Sequence, residues 1–377
     1  MGLIYCKVCG GEFHEEILEY ENMPQAAQHF PDATTIIHET GKLLSIAACK
    51  LCGLVQSVSP QVEYFRDVIR ATGLSKEMAD FRLKQYKQLD QNYGFASRRL
   101  IEVGCGQGEF LSLMTQAGWN VFGLEHLKES VDLAKAQGLR VQQGFLDSDD
   151  HQLSEGPFDA FASFNFMEHI PDLNTWLSSI NMNLCRDSIG LVEVPNYDMM
   201  IQERLSTEFI ADHVFYFTEN TLRRTLEMNG FDVISVETIW HTYILSAVVR
   251  KRLPISFKVF KESKKELREN FQKILKIYRG MKIAIWGAGH QALATIALAE
   301  VANSVEYVID SAPFKQGKFT PATHIPIVSP DHLNSEPVDV IFIIAAAYTE
   351  EITRTIRSDH GDKFKLFAVA ADGIHEV

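Results

Sequence analysis

The chain reads as an α/β protein with a doubly wound, Rossmann-like parallel sheet at its centre, a small cysteine-bearing domain before it and a second Rossmann-like α/β domain after it. Three features predict this. Apolar β-type runs alternate with amphipathic helical stretches from Arg99 onward, as they do where helices cross over between parallel strands. Two strand-to-helix transitions pass through glycine turns, Gly104-Cys105-Gly106-Gln107-Gly108 and Gly287-Ala288-Gly289. Four of the six cysteines form two Cys-x-x-Cys pairs ahead of both turns.

With 377 residues, 46% of them hydrophobic, the chain has material for two or three cores. A formal charge of −13 sets it apart from proteins that bind nucleic acid, which gather Lys and Arg into patches. No apolar run is long enough to span a bilayer, so no membrane partner is expected. The start, Met1-Gly2-Leu3-Ile4-Tyr5-Cys6, lacks the basic region and apolar core of a signal peptide, which points to the cytoplasm.

Residues 1–62 form the first expected domain. Cys6 and Cys9 make one knuckle, Cys49 and Cys52 the other, and each is followed by a glycine, Gly10 or Gly53, that permits the turn aiming two thiolates at one ion. Four thiolates complete a tetrahedron around zinc and leave no position for a substrate, so the metal is structural. A redox pair is the competing reading of a single Cys-x-x-Cys, but two matched knuckles favour the metal. His14, His29 and His38, between the knuckles, read as ordinary histidines.

The second domain spans 63–254. A charged helical pattern runs from Glu63 to Tyr93 with Phe65, Ile69, Met78, Phe81, Leu83 and Leu89 as its apolar positions. Strands are expected at 100–103, 120–124, 140–143, 158–163 and 188–194, with helices at 107–117, 128–137 and 173–184 between them. Gly104, Cys105, Gly106 and Gly108 form the turn after the first strand, where the backbone can approach a ligand closely. The next strand ends in Glu125, an acid placed to accept hydrogen bonds from ribose hydroxyls. Turn and acid together indicate adenosine. Glu102 and Glu109 flank the turn and would repel a pyrophosphate, whereas the sulfonium and amino groups of S-adenosylmethionine suit them. Phe145 and Asn165 follow later strands and so face the same crevice, Phe145 as a surface for adenine or as ordinary core.

Further on, Asp212 stands beside His213 among aromatic residues, a setting in which an imidazole could take a proton from a carbon acid or a hydroxyl, or could be a satisfied structural histidine. Thr218 reads as the N-cap of a helix over 219–229 closed by Gly230, and strands over 231–239 and 242–249 finish the domain. Residues 255–278 read as one amphipathic connecting helix. The last domain, 279–377, opens with a strand into Gly287-Ala288-Gly289 and places Asp310 after its next strand. Strand, turn and acid would by themselves pass for a second nucleotide site, but Ala292 stands where a dinucleotide fingerprint has its third glycine, which counts against a cofactor there.

The run Glu102-Val103-Gly104-Cys105-Gly106 resembles the first motif of class I S-adenosylmethionine methyltransferases. Together with the four cysteines, Glu168-His169-Ile170-Pro171, Val192-Glu193-Val194-Pro195, Asp212-His213, Tyr216-Phe217-Thr218, Gly287-Ala288-Gly289, Asp310 and Pro313-Phe314-Lys315-Gln316-Gly317, it makes the chain similar to the sugar C-methyltransferase family of deoxysugar biosynthesis. The resemblance covers nearly the whole chain. It implies a zinc-binding domain, a methyltransferase domain and a C-terminal Rossmann-like domain that helps wall the substrate pocket, acting on a carbon beside a ketone of a nucleotide-linked sugar. By the same resemblance His213 is the base, Asp212 orients it, and His169 lies near the transferred methyl.

The chain departs from the family on the substrate side: Ile210-Ala211-Asp212-His213 replaces Tyr-His-Glu-His, and Ala71-Thr72-Gly73-Leu74 carries no tyrosine ahead of Ser75. In the last domain His290-Gln291-Ala292 replaces a lysine-bearing turn, and Ala345-Ala346-Ala347 a Pro-Trp-Asn. Methylation at oxygen or nitrogen of a sugar or other small molecule, methylation of RNA, and cofactor binding without turnover are the alternatives.

Overall fold

The computed structural model describes residues 5–26, 30–66, 74–148, 152–370 and 372–377. Ile69, His29 and Ala71-Thr72-Gly73 of the sequence reading lie outside these residues. The chain divides into two compact units, Met1–Leu253 and Pro254–Val377. No described helix is long and apolar enough to cross a membrane.

Unit one begins with strands β1 (Phe13–Met23), β2 (Lys42–Cys49) and β3 (Val55–Ser57), then helix α1 (Lys76–Tyr93). An alternating series follows: β4 (Arg99–Val103), α2 (Glu109–Gln116), β5 (Asn120–Glu125), α3 (Lys128–Ala136), β6 (Val141–Gln143), β7 (Phe158–Phe164), α4 (Leu173–Met182) and β8 (Leu184–Pro195). After α5 (Tyr197–Glu203) and the two-residue β9 (Phe215–Tyr216) come α6 (Glu219–Met228), β10 (Phe231–Ile239) and β11 (Ile244–Lys251).

The central sheet has the strand order β10-β11-β8-β7-β4-β5-β6. Its β6-β5-β4-β7-β8 part is parallel, and β11 and β10 join antiparallel. Strand β4 pairs with both β5 and β7, so the chain leaves it in one direction and later returns to its other side. Such a switch point opens a crevice at the carboxyl ends of the strands. Gly104 and Asn165 are the residues that follow β4 and β7 there.

Local chemistry explains the helix limits. The Ser75 hydroxyl accepts from the Met78 amide at 3.1 Å and Gly94 closes α1 at φ 68°. Of the helical run expected from Glu63, Glu63–Arg66 form a turn, residues 67–73 lie outside the described residues, and α1 begins at Lys76. Thr218 and Thr221 make a reciprocal capping box at the start of α6, as the sequence suggests.

Helix α1 is tied to the sheet by a buried ion pair. Arg82, 0% exposed, meets Glu193 of β8 at 2.5 Å, while Gln85 and Ser246 donate to the other oxygen of the same carboxylate at 2.8 and 3.0 Å. The rings of Phe110 and Phe164 lie 4.5 and 5.1 Å from the guanidinium, which gives its remaining N–H groups an aromatic environment.

The N-terminal strands form a sheet of order β1-β2-β3-β9. Its last strand is borrowed from residues 215–216, far along the chain, through Val55↔Tyr216 and Gln56↔Phe215.

Unit two contains α7 (Lys258–Ile277), β12 (Ile283–Trp286), α8 (His290–Ala299), β13 (Tyr307–Ile309), β14 (Ile327–Val328), α9 (His332–Ser335), β15 (Val340–Ile343), α10 (Thr349–His360), β16 (Lys365–Ala370) and β17 (Gly373–Glu376). The sheet order is β14-β13-β12-β15-β16-β17, parallel except at β17. The helix read from sequence as a connector packs Phe271, Leu267 and Ile274 into this unit's own core. In the same unit Asp310 accepts from the amides of Ala288 and Ala312 at 2.8 and 2.9 Å and pairs with Lys315 at 2.8 Å.

Candidate active site and the four-cysteine cluster

The crevice beyond β4 and β5 is built from backbone. Gly104 has φ 78°, and a β-carbon there would stand 2.6 Å from the Phe166 ring. The Glu125 carboxylate accepts from the amides of Gly106 at 2.9 Å and Leu127 at 2.8 Å, which fixes it beside the glycine turn. Burial nevertheless raises its pKa, against the lowering effect of those N–H groups. Gly108 serves packing: a β-carbon would meet Leu139 at 2.4 Å. Cys105 is buried, and its sulfur would lie 2.6 Å from a β-carbon on Gly123. Burial, then the nearby Glu102 and Glu125, push its thiol well up, as an inert cysteine requires.

Phe145 is half-buried, edge-on to His126 at 5.9 Å and to Phe166 at 6.4 Å. Arg66 covers it, with the guanidinium 5.2 Å from the ring and a 2.9 Å ion pair to Asp147. Asn165 takes φ 47° and donates its amide to the Glu193 carbonyl at 2.8 Å; its Oδ1 has no hydrogen-bond partner among the described residues. The chemistry of this crevice is a fixed carboxylate, an open glycine turn and acidic neighbours. It suits a ribose diol and a cationic sulfonium better than phosphate.

A second cluster brings together His169, Asp212 and His213. The turn Met167–His169 follows β7, and its Glu168 carbonyl accepts from the Val214 amide at 2.8 Å. The Val214 carbonyl in turn accepts from the Ser57 amide at 2.9 Å, so the N-terminal sheet holds the histidine segment in place. The His169 and His213 rings meet edge-on with centroids 4.8 Å apart. His169 Nδ1 lies 3.0 Å from the Asp212 carbonyl, and the Asp212 carboxylate accepts from the Tyr64 hydroxyl at 2.6 Å. Burial lowers the pKa of His169, and lowers that of His213 further with the help of His169 beside it, so both rings are neutral at pH 7.

Sequence reasoning missed Tyr64, whose hydroxyl donates to the Asp212 carboxylate, and it gave Glu168 no role. Neither had a local signal, because Tyr64 lies 148 residues from Asp212.

Cys6, Cys9, Cys49 and Cys52 converge, their sulfurs all within 4.8 Å of one another. Cys6 and Cys52 sulfurs are 3.7 Å apart and those of Cys9 and Cys49 are 3.4 Å apart, too far for disulfides. Four sulfurs at about 2.3 Å from zinc would be spaced by roughly 3.8 Å along the edges of a tetrahedron, so the cluster fits that ion. Gly10 and Gly53 adopt φ 71° and 78°, the turn each knuckle needs. The amides of Leu51 and Cys52 point at Cys49 Sγ, and Gln56 Nε2 donates to Cys6 Sγ at 2.8 Å, the outer contacts that stabilise bound thiolates.

Two family models match the chain: a methyltransferase domain over residues 71–236 and a C-methyltransferase C-terminal domain over 252–367. The C-methyltransferase NovU of Streptomyces niveus is 21% identical over 92% of this chain and 90% of its own length. The chain is a methyltransferase by these matches and is similar to the C-methyltransferases along nearly its whole length. The methyltransferase also matches a ubiquinone biosynthesis O-methyltransferase of Pseudomonas aeruginosa at 26% identity, over 26% of this chain and 44% of that protein. An S-adenosylmethionine-dependent methyltransferase structure from Clostridium acetobutylicum is 13% identical with a TM-score of 0.38, covering 50% of this chain and 96% of that one.

Gly104→Ala in the methyltransferase is expected to weaken S-adenosylmethionine binding at least tenfold by calorimetry. The added methyl meets the Phe166 ring, and φ is one that side chains rarely adopt. Unchanged affinity would show that the cofactor does not lie along this turn.

Proposed function

We propose that the protein methylates a carbon next to a ketone on a nucleotide-linked sugar, with His213 as the base and one structural zinc on Cys6, Cys9, Cys49 and Cys52. The observation that carries the reading is the pair of neutral, closely packed histidines beyond the strand ends. A carbon acid next to a carbonyl needs a neutral base within reach, and a half-buried imidazole at His213 is one. The similarity to NovU along nearly the full length of both proteins favours carbon over oxygen as the acceptor.

In this reading Gly104, Gly106 and Glu125 hold the cofactor's ribose and amino acid, while Phe145 lies against its adenine and Asn165 borders its methionine. S-adenosylmethionine supplies an electrophilic methyl group when bound. His213 removes the α-proton and His169 lies near the developing oxyanion, while Tyr64 and the Asp212 backbone keep the two rings in register.

The test is a panel of nucleotide-linked keto, amino and deoxy sugars, screened for the mass gain of one methyl group. A keto sugar should gain it at carbon, and its α-proton should exchange in deuterated water. Methyl transfer to oxygen or nitrogen, salt-sensitive binding to RNA fragments, or cofactor binding with no turnover on the panel would each overturn the reading.

A further inference from the structure

Glu168 sits in the wall of the histidine cluster with 1% of its surface exposed, and its Oε2 has no hydrogen-bond partner among the described residues. A carboxylate is costly in such a place, and burial pushes the pKa up to about 8, so the group is a carboxylic acid at neutral pH. Its Oε1 lies 4.0 Å from His169 Nε2. The tautomer of His169 is set by its other nitrogen. Nδ1 faces the Asp212 carbonyl at 3.0 Å, and a carbonyl can only accept, so Nδ1 carries the proton and Nε2 keeps an open lone pair. The Glu168 carboxyl thus has one oxygen without a partner among the described residues and the other 4.0 Å from an imidazole nitrogen that carries no proton.

We propose that Glu168 is a positioning residue of the methyl-transfer site, the internal proton reserve of His169. In the step it serves, the Glu168 carboxyl closes from 4.0 Å to hydrogen-bond distance of His169 Nε2, the Glu168 O–H bond breaks and a His169 Nε2–H bond forms. The neutral pair becomes carboxylate and imidazolium with no change in net charge and no proton drawn from solvent. The imidazolium then faces the oxyanion that develops as His213 takes the acceptor's proton. When the carbonyl reforms on methyl transfer, the proton returns to Glu168. The timing of this step rests on the carbon-acceptor reading above; the protonation states do not.

The titratable groups around Glu168 come from several elements. His169 shares its turn, and Asp212 and His213 approach from the segment before β9. Tyr243, between β10 and β11, has its phenol raised by burial first, then by its 2.7 Å hydrogen bond to Glu208 and by the charge of Glu168. Tyr64 reaches the cluster through Asp212.

Glu168→Gln keeps the shape and a hydrogen-bond donor but cannot ionise. The wild-type native state holds this proton up to about pH 8, while the unfolded chain releases it near the ordinary value of 4.5. Between those limits the native state binds more protons than the unfolded one, and this group costs the folding equilibrium up to tenfold per pH unit. In denaturant melts, the folding constant of Glu168→Gln relative to wild type should therefore rise steadily from pH 5 to pH 8. Spectra of ¹⁵N-histidine-labelled protein, assigned with His169→Gln, should show His169 as the Nδ1–H tautomer, with an inflection near pH 8 that disappears in Glu168→Gln. An Nε2–H tautomer, or an inflection that survives the substitution, overturns the proposal. Neither readout needs a substrate, so a failure of the sugar reading would leave both standing. On any acceptor found, Glu168→Gln should lower kcat about a hundredfold at unchanged KM for S-adenosylmethionine, and unchanged kcat would also overturn it.

Discussion

Serine at Cys49 and Cys52 is expected to abolish zinc binding and to lower the melting temperature of the whole first unit. Elemental analysis should find about one zinc per chain in the wild type and none in the double variant. The effect should be large for two reasons. Zinc sites of this kind contribute on the order of 10 kcal/mol where they organise a small fold. Here the cluster is also linked to the rest of the unit: Cys49 ends β2, the Cys52 carbonyl accepts from Arg224 of α6 at 3.0 Å, and the next strand, β3, pairs with β9 beside His213. Loss of the metal should therefore reach the histidine cluster and reduce methyl transfer, although no cysteine of the set touches it. Cys185→Ser, which leaves the cluster intact, is the control and should keep both metal and melting temperature. Metal retained in the double variant, or an unchanged melting temperature after its loss, would remove the ion from the structural account.

The alternation of strand and helix from Arg99 to Pro195 was legible because each element carries its own signal. An apolar run, a glycine turn and an amphipathic helix are local patterns, and the Thr218 cap is another. What could not be read was set by distance or by double exposure. Strand β1, Phe-His-Glu-Glu-Ile-Leu-Glu-Tyr-Glu-Asn-Met, is exposed along most of both faces, so it shows no alternation of apolar and polar residues and was not recognised. The pairing of β3 with a two-residue strand at Phe215–Tyr216 leaves no periodicity at all. Charges interleaved with Phe65 and Met78 imitate a helical face from Glu63, but Ser75 is the residue whose hydroxyl caps the helix. In the candidate site, the glycine turn, Glu125 and His169 were marked by residue type and position after strands, and His213 by the acid beside it among aromatic residues. Tyr64 and Glu168 acquire their chemistry only from burial and from neighbours that the fold supplies.

His213→Ala is expected to lower methyl transfer by roughly 10²- to 10⁴-fold, the usual contribution of a positioned base, while the heat of S-adenosylmethionine binding stays unchanged. The separation follows from the geometry: the residues around Glu125 and Gly104 contact the glycine turn and Phe166, whereas His213 packs on His169 and Tyr216. The pH profile gives an independent check. Because burial, aided by His169, holds the His213 pKa well below its ordinary value, the ring stays neutral as pH falls through the usual histidine range. The acid limb of the rate should thus lie below that of a solvent-exposed histidine. A weakly basic imidazole is a modest base for a carbon acid, so catalysis must draw also on stabilisation of the oxyanion, the task assigned to His169 with Glu168 behind it. The two roles separate in deuterated water with the demethylated cofactor bound. His213→Ala should lose α-proton exchange completely, whereas His169→Gln should slow it and, by removing the ring that helps depress the His213 pKa, move the acid limb toward higher pH. Exchange that persists in His213→Ala and vanishes in His169→Gln would reverse the assignment and make His169, with its backbone-fixed tautomer, the base.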